Sequence, residues 1–198
     1  MKSSENLVWI DCEMTGLDVE KDCLVEIAVL VTDSELNILD EGLSVVIKPR
    51  PDSLEGMGEF VTNMHKESGL LELLPDGLPI EQAETQVLDY IKRFAPEVRS
   101  APLAGNSIGT DRMFLNRYMP ALDAHLHYRN VDVSSIKELV RRWYPKVYFQ
   151  LPKKSGGHRA LSDIRESIAE LVYYRKTVLV EAPGPSSEQA KTSAEQTQ

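Results

Sequence analysis

Three runs rich in Val, Ile and Leu near the start of the chain, Leu7 to Asp11, Leu24 to Thr32 and Leu43 to Lys48, are separated by the turn-like stretches GLDVEKD and DSELNILDEG. Runs this short fit strands, and connections this short join neighbours, so the spacing predicts three adjacent antiparallel strands. The pattern then changes. After Pro79, the residues Ala83, Val87, Leu88, Ile91 and Phe94 recur at helical spacing and stop before Pro96. A short strand at Leu103 to Asn106, a helix from Thr110 to Tyr118, a strand at Tyr128 to Val133 and a helix from Ser134 to Trp143 follow. A strand meander followed by alternating strands and helices points to an α/β architecture.

Residues 145–157 show no clear period and hold Lys153, Lys154, Gly156 and Gly157, the composition of a mobile loop. Ala160 to Lys176 returns to helix, with Leu161, Ile164, Ile168, Leu171 and Val172 on one side. From Glu181 onward no aromatic or large aliphatic side chain remains, which reads as disorder. The expected division is one domain over residues 1–178 and a tail over residues 179–198. With 198 residues, 42% of them hydrophobic, one sizeable core can form. No apolar run approaches the ~20 residues that span a bilayer, and the N-terminal stretch lacks a signal-peptide pattern, so the expected location is the cytoplasm with no membrane partner. Cys12 and Cys23 stand apart from any Cys/His cluster, which argues against a disulfide framework and a zinc knuckle. A net charge of -9 argues against a protein that grips long nucleic acid by a basic surface, while leaving a short or metal-bound substrate open.

Candidate chemistry centres on acids. Asp11 and Glu13 lie two apart at the end of the first strand, so a period of two aims both carboxylates to one side and Cys12 to the other. The same Asp-x-Glu spacing occurs at Asp18/Glu20 and Asp33/Glu35, but in polar, turn-like surroundings that suit solvated acids. Asp111 opens a helix after the strand-like PLAGN, where it or Thr110 could serve as a helix cap instead of a ligand. His158 follows a Gly-Gly loop and Asp163 sits in the next helix; the pair His127 and Asp132, at the same spacing, would fall on opposite faces of a strand. Taken in order, the set supplies four carboxylates and one base. Four crowded acids need cations, and hard oxygen donors select Mg²⁺ or Mn²⁺. Two such ions ~3.5–4 Å apart suit phosphodiester cleavage, with His158 taking a proton from water near neutral pH.

The segments WIDCEMTGLD, GNSIGTDRMFL and HRALSDIRESI resemble the three exonuclease motifs of the DEDDh, DnaQ-like superfamily. MHKESGL, YRNVDVSSIKELVRRWYP and the HRALSDI segment are similar to the oligoribonuclease family within it, over about Leu7 to Lys176. The resemblance implies an RNase H-like fold with a mixed five-stranded sheet flanked by helices, a homodimer, and 3′ to 5′ hydrolysis of short single-stranded RNA to nucleoside 5′-monophosphates. It implies Asp11, Glu13, Asp111 and Asp163 as ligands of two Mg²⁺ or Mn²⁺ ions, His158 as general base and Tyr128 as a further catalytic residue. Leu17 and Phe60 match positions that hold the bases, and many relatives carry Trp where Phe60 stands. Ser107, Arg129 and Ser134 match positions that bind a 5′ phosphate, which favours 5′-phosphorylated dinucleotides. Tyr128 and His65 match residues that look across the dimer interface. A DEDDh exonuclease acting on DNA 3′ ends is the alternative that the acid and histidine set does not separate; the YRNVDVS segment favours RNA.

Overall fold

The fold is that of a computed structural model in which residues 5–152 and 159–197 are described. Strands β1 (Leu7–Met14), β2 (Leu24–Thr32) and β3 (Leu43–Val46) form the expected antiparallel meander. Then come α1 (Pro51–Glu55), α2 (Glu59–Glu67), a 3₁₀ turn at Leu71–Asp76 and α3 (Ile80–Lys92). Next are β4 (Pro102–Gly105), α4 (Gly109–Tyr118), α5 (Pro120–His125), β5 (His127–Asp132), α6 (Val133–Trp143), α7 (Pro145–Tyr148), α8 (Ala160–Thr177) and α9 (Ser187–Gln196). The sheet order is β3-β2-β1-β4-β5. β4 runs parallel to β1 and β5 parallel to β4, so the five-stranded sheet is mixed.

All nine residues of β2 are buried, because helices cover both sheet faces. On β1 the two faces separate by parity. Val8, Ile10, Cys12 and Met14 join one core with Ala83, Val87 and Ile91 of α3 and Phe114 and Leu115 of α4. Trp9 joins the other, with Ala28 and Leu30 of β2 and Ile164, Ile168, Leu171 and Tyr174 of α8. The Trp9 indole is fully buried, and its Nε1–H donates to Thr32 Oγ1 at 3.0 Å, satisfying the one polar atom this anchor carries inside. α8 therefore packs on the face of β1 that Trp9 shares with Asp11 and Glu13.

Two stretches depart from the sequence reading. Residues 51–76 fold into short helical segments that bury little, so no apolar stripe announced them. Composition points to disorder over residues 179–198, yet Ser187–Gln196 is helical. The reason is local: Ser186 and Gln189 form a reciprocal capping box, and Lys191 pairs with Glu195 one turn on. No residue of α9 is buried, so the helix stands outside the core.

Candidate active site

The carboxyl ends of the parallel strands β1, β4 and β5 and the start of β2 lie at one edge of the sheet. Crevices at such edges are where α/β sheets bind ligands. At the end of β1, Asp11 and Glu13 project to the α8 side. Asp163 occupies the first turn of α8, where the unpaired amides and the positive helix end favour a carboxylate. One oxygen from each of Asp11, Glu13 and Asp163 lies within 4.8 Å of the others. Three segments far apart in sequence thus converge on one point.

Asp111 sits beside this group, not within it. Its buried carboxylate accepts the Cys12 N–H at 3.0 Å. Pairing of β1 with β4 extends only to Trp9 and Ala104, so the Cys12 amide lies past the end of β4 and Asp111 takes it in place of a strand. The capping alternative fails: Ile108 is the N-cap of α4, and no side chain caps there.

Crowding shows in proton affinity. Burial pushes Asp11 up from 3.8 to about 9, aided by the charges of Asp111, Glu13, Asp163 and Glu26. Burial and then Asp163, Glu26 and Asp111 raise Glu13 to about 8, opposed by Arg159. Asp111 reaches about 6, its burial offset by hydrogen bonds from amides. Such a group is stable as an anion only with positive charge between its members. Oxygen donors alone, with no sulfur or imidazole in the group among the described residues, fit a hard divalent cation.

The other Asp-x-Glu pairs stay in turns, with one correction. Asp18 is exposed and paired with Lys21, as expected. Asp33 is buried instead of solvated, because its carboxylate closes a turn by accepting the Glu35 and Asn37 amides and the Asn37 side chain.

Ser107 and Ser134 come together through Asp132. Its Oδ1 accepts the Ser107 N–H at 3.0 Å, the Ser134 N–H at 2.9 Å and the Ser134 hydroxyl at 2.6 Å. Ser107 is held at a φ of 58°, a left-handed conformation that a non-glycine residue adopts at a cost. Leu17 and Phe60 are 76% and 81% exposed, and both are tied to the end of β1. Leu17 rides on a turn closed by the Asp22 carboxylate, which accepts the Thr15 hydroxyl and the Asp18 N–H. A side chain at Gly16 would collide with that Asp22 carboxylate. Phe60 lies in the first turn of α2, and α2 is pinned by His65.

Within one chain, the residues expected to look across a dimer interface are placed in different ways. His65 does not look outward: its ring is fully buried, Nε2–H donates to Met14 O at 2.8 Å, and Nδ1 lies 3.9 Å from Glu13. It builds the wall behind Glu13. Tyr128 and Arg129 start the edge strand β5 and face solvent, with the guanidinium stacked 5.5 Å from the Tyr128 ring and Arg129 Nε donating to its hydroxyl at 3.1 Å. Leu103 aligns with both Val8 and Asn130, and Pro102 with His127, so Tyr128 and Arg129 sit in a bulge three to four residues lower along the strands than Asp11 and two strands across. That is roughly 14–16 Å, beyond a side chain's reach. His158 lies outside the described residues, as do Lys153, Lys154, Gly156 and Gly157.

Sequence reasoning missed Glu26. It is buried directly opposite Glu13 on β2 and accepts Arg159 Nη2–H at 2.8 Å. The signal was present: Glu26 is the single charged residue within the run LVEIAVLVT.

The mixed sheet with acids from three segments at its carboxyl edge is an RNase H-like fold, and the family model described as Exonuclease matches residues 8–171, which makes the chain a member of that exonuclease class. Solved structures with this fold include exonuclease I from Methylocaldum szegediense (TM-score 0.62, 19% identity, 87% of this chain and 41% of that one). The metal-free E. coli ExoI-ssDNA complex is another (TM-score 0.63, 13% identity, 88% and 40%). The chain thus spans about two fifths of those longer enzymes. Among curated proteins it is 62% identical to the oligoribonuclease of Leifsonia xyli subsp. xyli over 97% of this chain and 93% of that one. It is 59% identical to the oligoribonuclease of Streptomyces avermitilis over 96% of each. The chain belongs to the oligoribonuclease family of exonucleases.

Proposed function

We propose that the protein is a 3′ to 5′ exoribonuclease that hydrolyses short single-stranded RNA, dinucleotides foremost, to nucleoside 5′-monophosphates in the cytoplasm. The observation that carries this reading is the convergence of Asp11, Glu13 and Asp163 within 4.8 Å, in a chain 62% identical to an oligoribonuclease. These three residues, with Asp111 beside them, would hold two Mg²⁺ or Mn²⁺ ions. When bound, such ions supply charge neutralisation at the scissile phosphate and a more acidic water.

The chain's own residues do the rest. His158 takes the proton of the attacking water as its oxygen bonds to phosphorus, and the bond from phosphorus to the 3′ oxygen breaks. The terminal nucleotide leaves as a 5′-monophosphate. The other product ends in a 3′ hydroxyl, protonated from solvent. Leu17 and Phe60 bracket the bases, their exposed apolar faces suiting stacking and edge contacts. The Ser107 hydroxyl would donate to a 5′ phosphate at the end of β4, and the Ser134 hydroxyl would do so on turning away from Asp132.

Arg129 and Tyr128 would complete the site from a second copy of the chain. The gap of roughly 14–16 Å between them and Asp11 in one chain supports this. So do the exposed Leu139, Trp143, Tyr144 and Phe149, which follow the open edge strand in sequence and give a homodimer apolar surface to bury. Among the described residues no helix is long and apolar enough to cross a membrane.

The test is chromatography of products from matched RNA and DNA trinucleotides, incubated with the purified protein with Mn²⁺ or with EDTA. Metal-dependent release of 5′-mononucleotides from the 3′ end of RNA supports the reading. Release in EDTA, or a preference for DNA, overturns it.

A further inference from the structure

The start of α8 has no cap of its own. Arg159 occupies the N-cap position with no side-chain cap bond, although the helix carries Asp163 in its first turn. The missing acceptor comes from β2. Glu26 Oε2 accepts the Ala160 N–H at 3.3 Å, and the same carboxylate takes Arg159 Nη2–H at 2.8 Å, Arg159 Nε–H at 3.2 Å and the Ser44 hydroxyl at 2.7 Å. Arg159 in turn begins the helix, since its carbonyl accepts the amide of Asp163 at 3.1 Å. One buried carboxylate therefore fixes the turn from which Asp163 projects.

That carboxylate is opposite Glu13 across the β1–β2 pair, so it refers Asp163 to the strand bearing the other two acids. Both Glu26 oxygens are filled by donors, and Glu26 is not in the converging group. Placing a second acid against Glu13 is unfavourable by charge alone. Arg159 offsets this, and its charge also holds Glu13 lower than its acidic neighbours would leave it. An apolar contact could hold α8 to the sheet, but it would not set the helix's rotation or its height along the strand. A forked, multiply bonded ion pair does.

We propose that Glu26, acting through Arg159 and the Ala160 amide, is a positioning residue that sets Asp163 against Asp11 and Glu13 for divalent-cation binding. This rests on the metal-dependent reading above. Partners of ligating groups typically change metal affinity by about 10- to 100-fold.

The experiment measures Mn²⁺ affinity by electron paramagnetic resonance and thermal stability in EDTA for wild type, Glu26→Gln and Arg159→Lys. Steady-state kinetics on a dinucleotide accompany them. In folded Glu26→Gln, Mn²⁺ affinity is expected to fall about 10-fold or more, with kcat reduced and KM little changed. Arg159→Lys keeps the charge but loses the fork, and should fall between that variant and wild type. Unchanged Mn²⁺ affinity in folded Glu26→Gln overturns the proposal. Should Glu26→Gln not fold, Arg159→Lys decides, and wild-type affinity there overturns it. Wild-type protein that binds no Mn²⁺ refutes the metal-dependent reading, and the positioning role with it.

Discussion

An Asp11→Asn substitution separates what the acid cluster costs the fold from what it does for the reaction. Without a cation, Asp11 is pushed from 3.8 to about 9, with burial the main cause and the neighbouring acids next. Between those values the folded chain holds a proton that the unfolded chain has released. Stability therefore falls as pH rises across that window, by about 1.4 kcal/mol per unit. At about pH 7 the accumulated cost is roughly 4 kcal/mol. Asn keeps the shape and carries no such linkage. Water entering the site and side-chain relaxation absorb a share, and half of the cost, ~2 kcal/mol, still raises Tm by roughly 4–8 °C in a chain of this size. In EDTA, calorimetry should show the variant melting above wild type, with the gap widening from acid to mildly alkaline pH. Adding Mg²⁺ should raise wild-type Tm, increasingly so at higher pH as protons leave the site, and should do little for the variant, which loses nearly all turnover. A variant that melts below wild type in EDTA, or gains as much from Mg²⁺, refutes the reasoning.

Other expectations follow from single groups. His158→Ala should leave Mn²⁺ binding intact and slow turnover by about 10² to 10⁴, with partial recovery at high pH; an unchanged rate assigns the base elsewhere. Arg129→Ala should weaken kcat/KM on a 5′-phosphorylated dinucleotide by about 2–4 kcal/mol and spare its unphosphorylated counterpart, and equal losses on both would remove Arg129 from the phosphate site. Trp9→Ala should cost about 3–5 kcal/mol in a urea titration, since a fully buried indole and its bond to Thr32 are lost together.

The elements most legible in sequence were those whose side chains repeat with a period. β1 and β2, α3 and α8 follow their apolar patterns, and the parity that puts Asp11 and Glu13 on one face is the parity that buries Trp9 beside α8. Positions defined by tertiary partners were less legible. Glu26 looks like an interruption in a strand until Arg159 arrives from 133 residues away. His65 has surface-like neighbours in sequence but is buried because α2 folds its ring onto the Met14 carbonyl. For α9 local capping outweighed the lack of a core, an effect that composition averages out. Arg129 resembles a phosphate-site residue in its motif and Tyr128 one that looks across a dimer interface, and strand register sets both far from Asp11 in one chain, a distance that no linear spacing encodes.

The central claim is a site closed around a very short RNA. Arg129, Ser107 and Ser134 would hold the 5′ phosphate, the acids the scissile one, and a net charge of -9 disfavours the many phosphate contacts that a longer strand would bring. The most direct measurement is kcat/KM for 5′-phosphorylated RNAs from two to ten nucleotides. The dinucleotide should be cleaved most efficiently, with efficiency falling at each added residue. Equal or rising efficiency with length would contradict it and indicate an open groove.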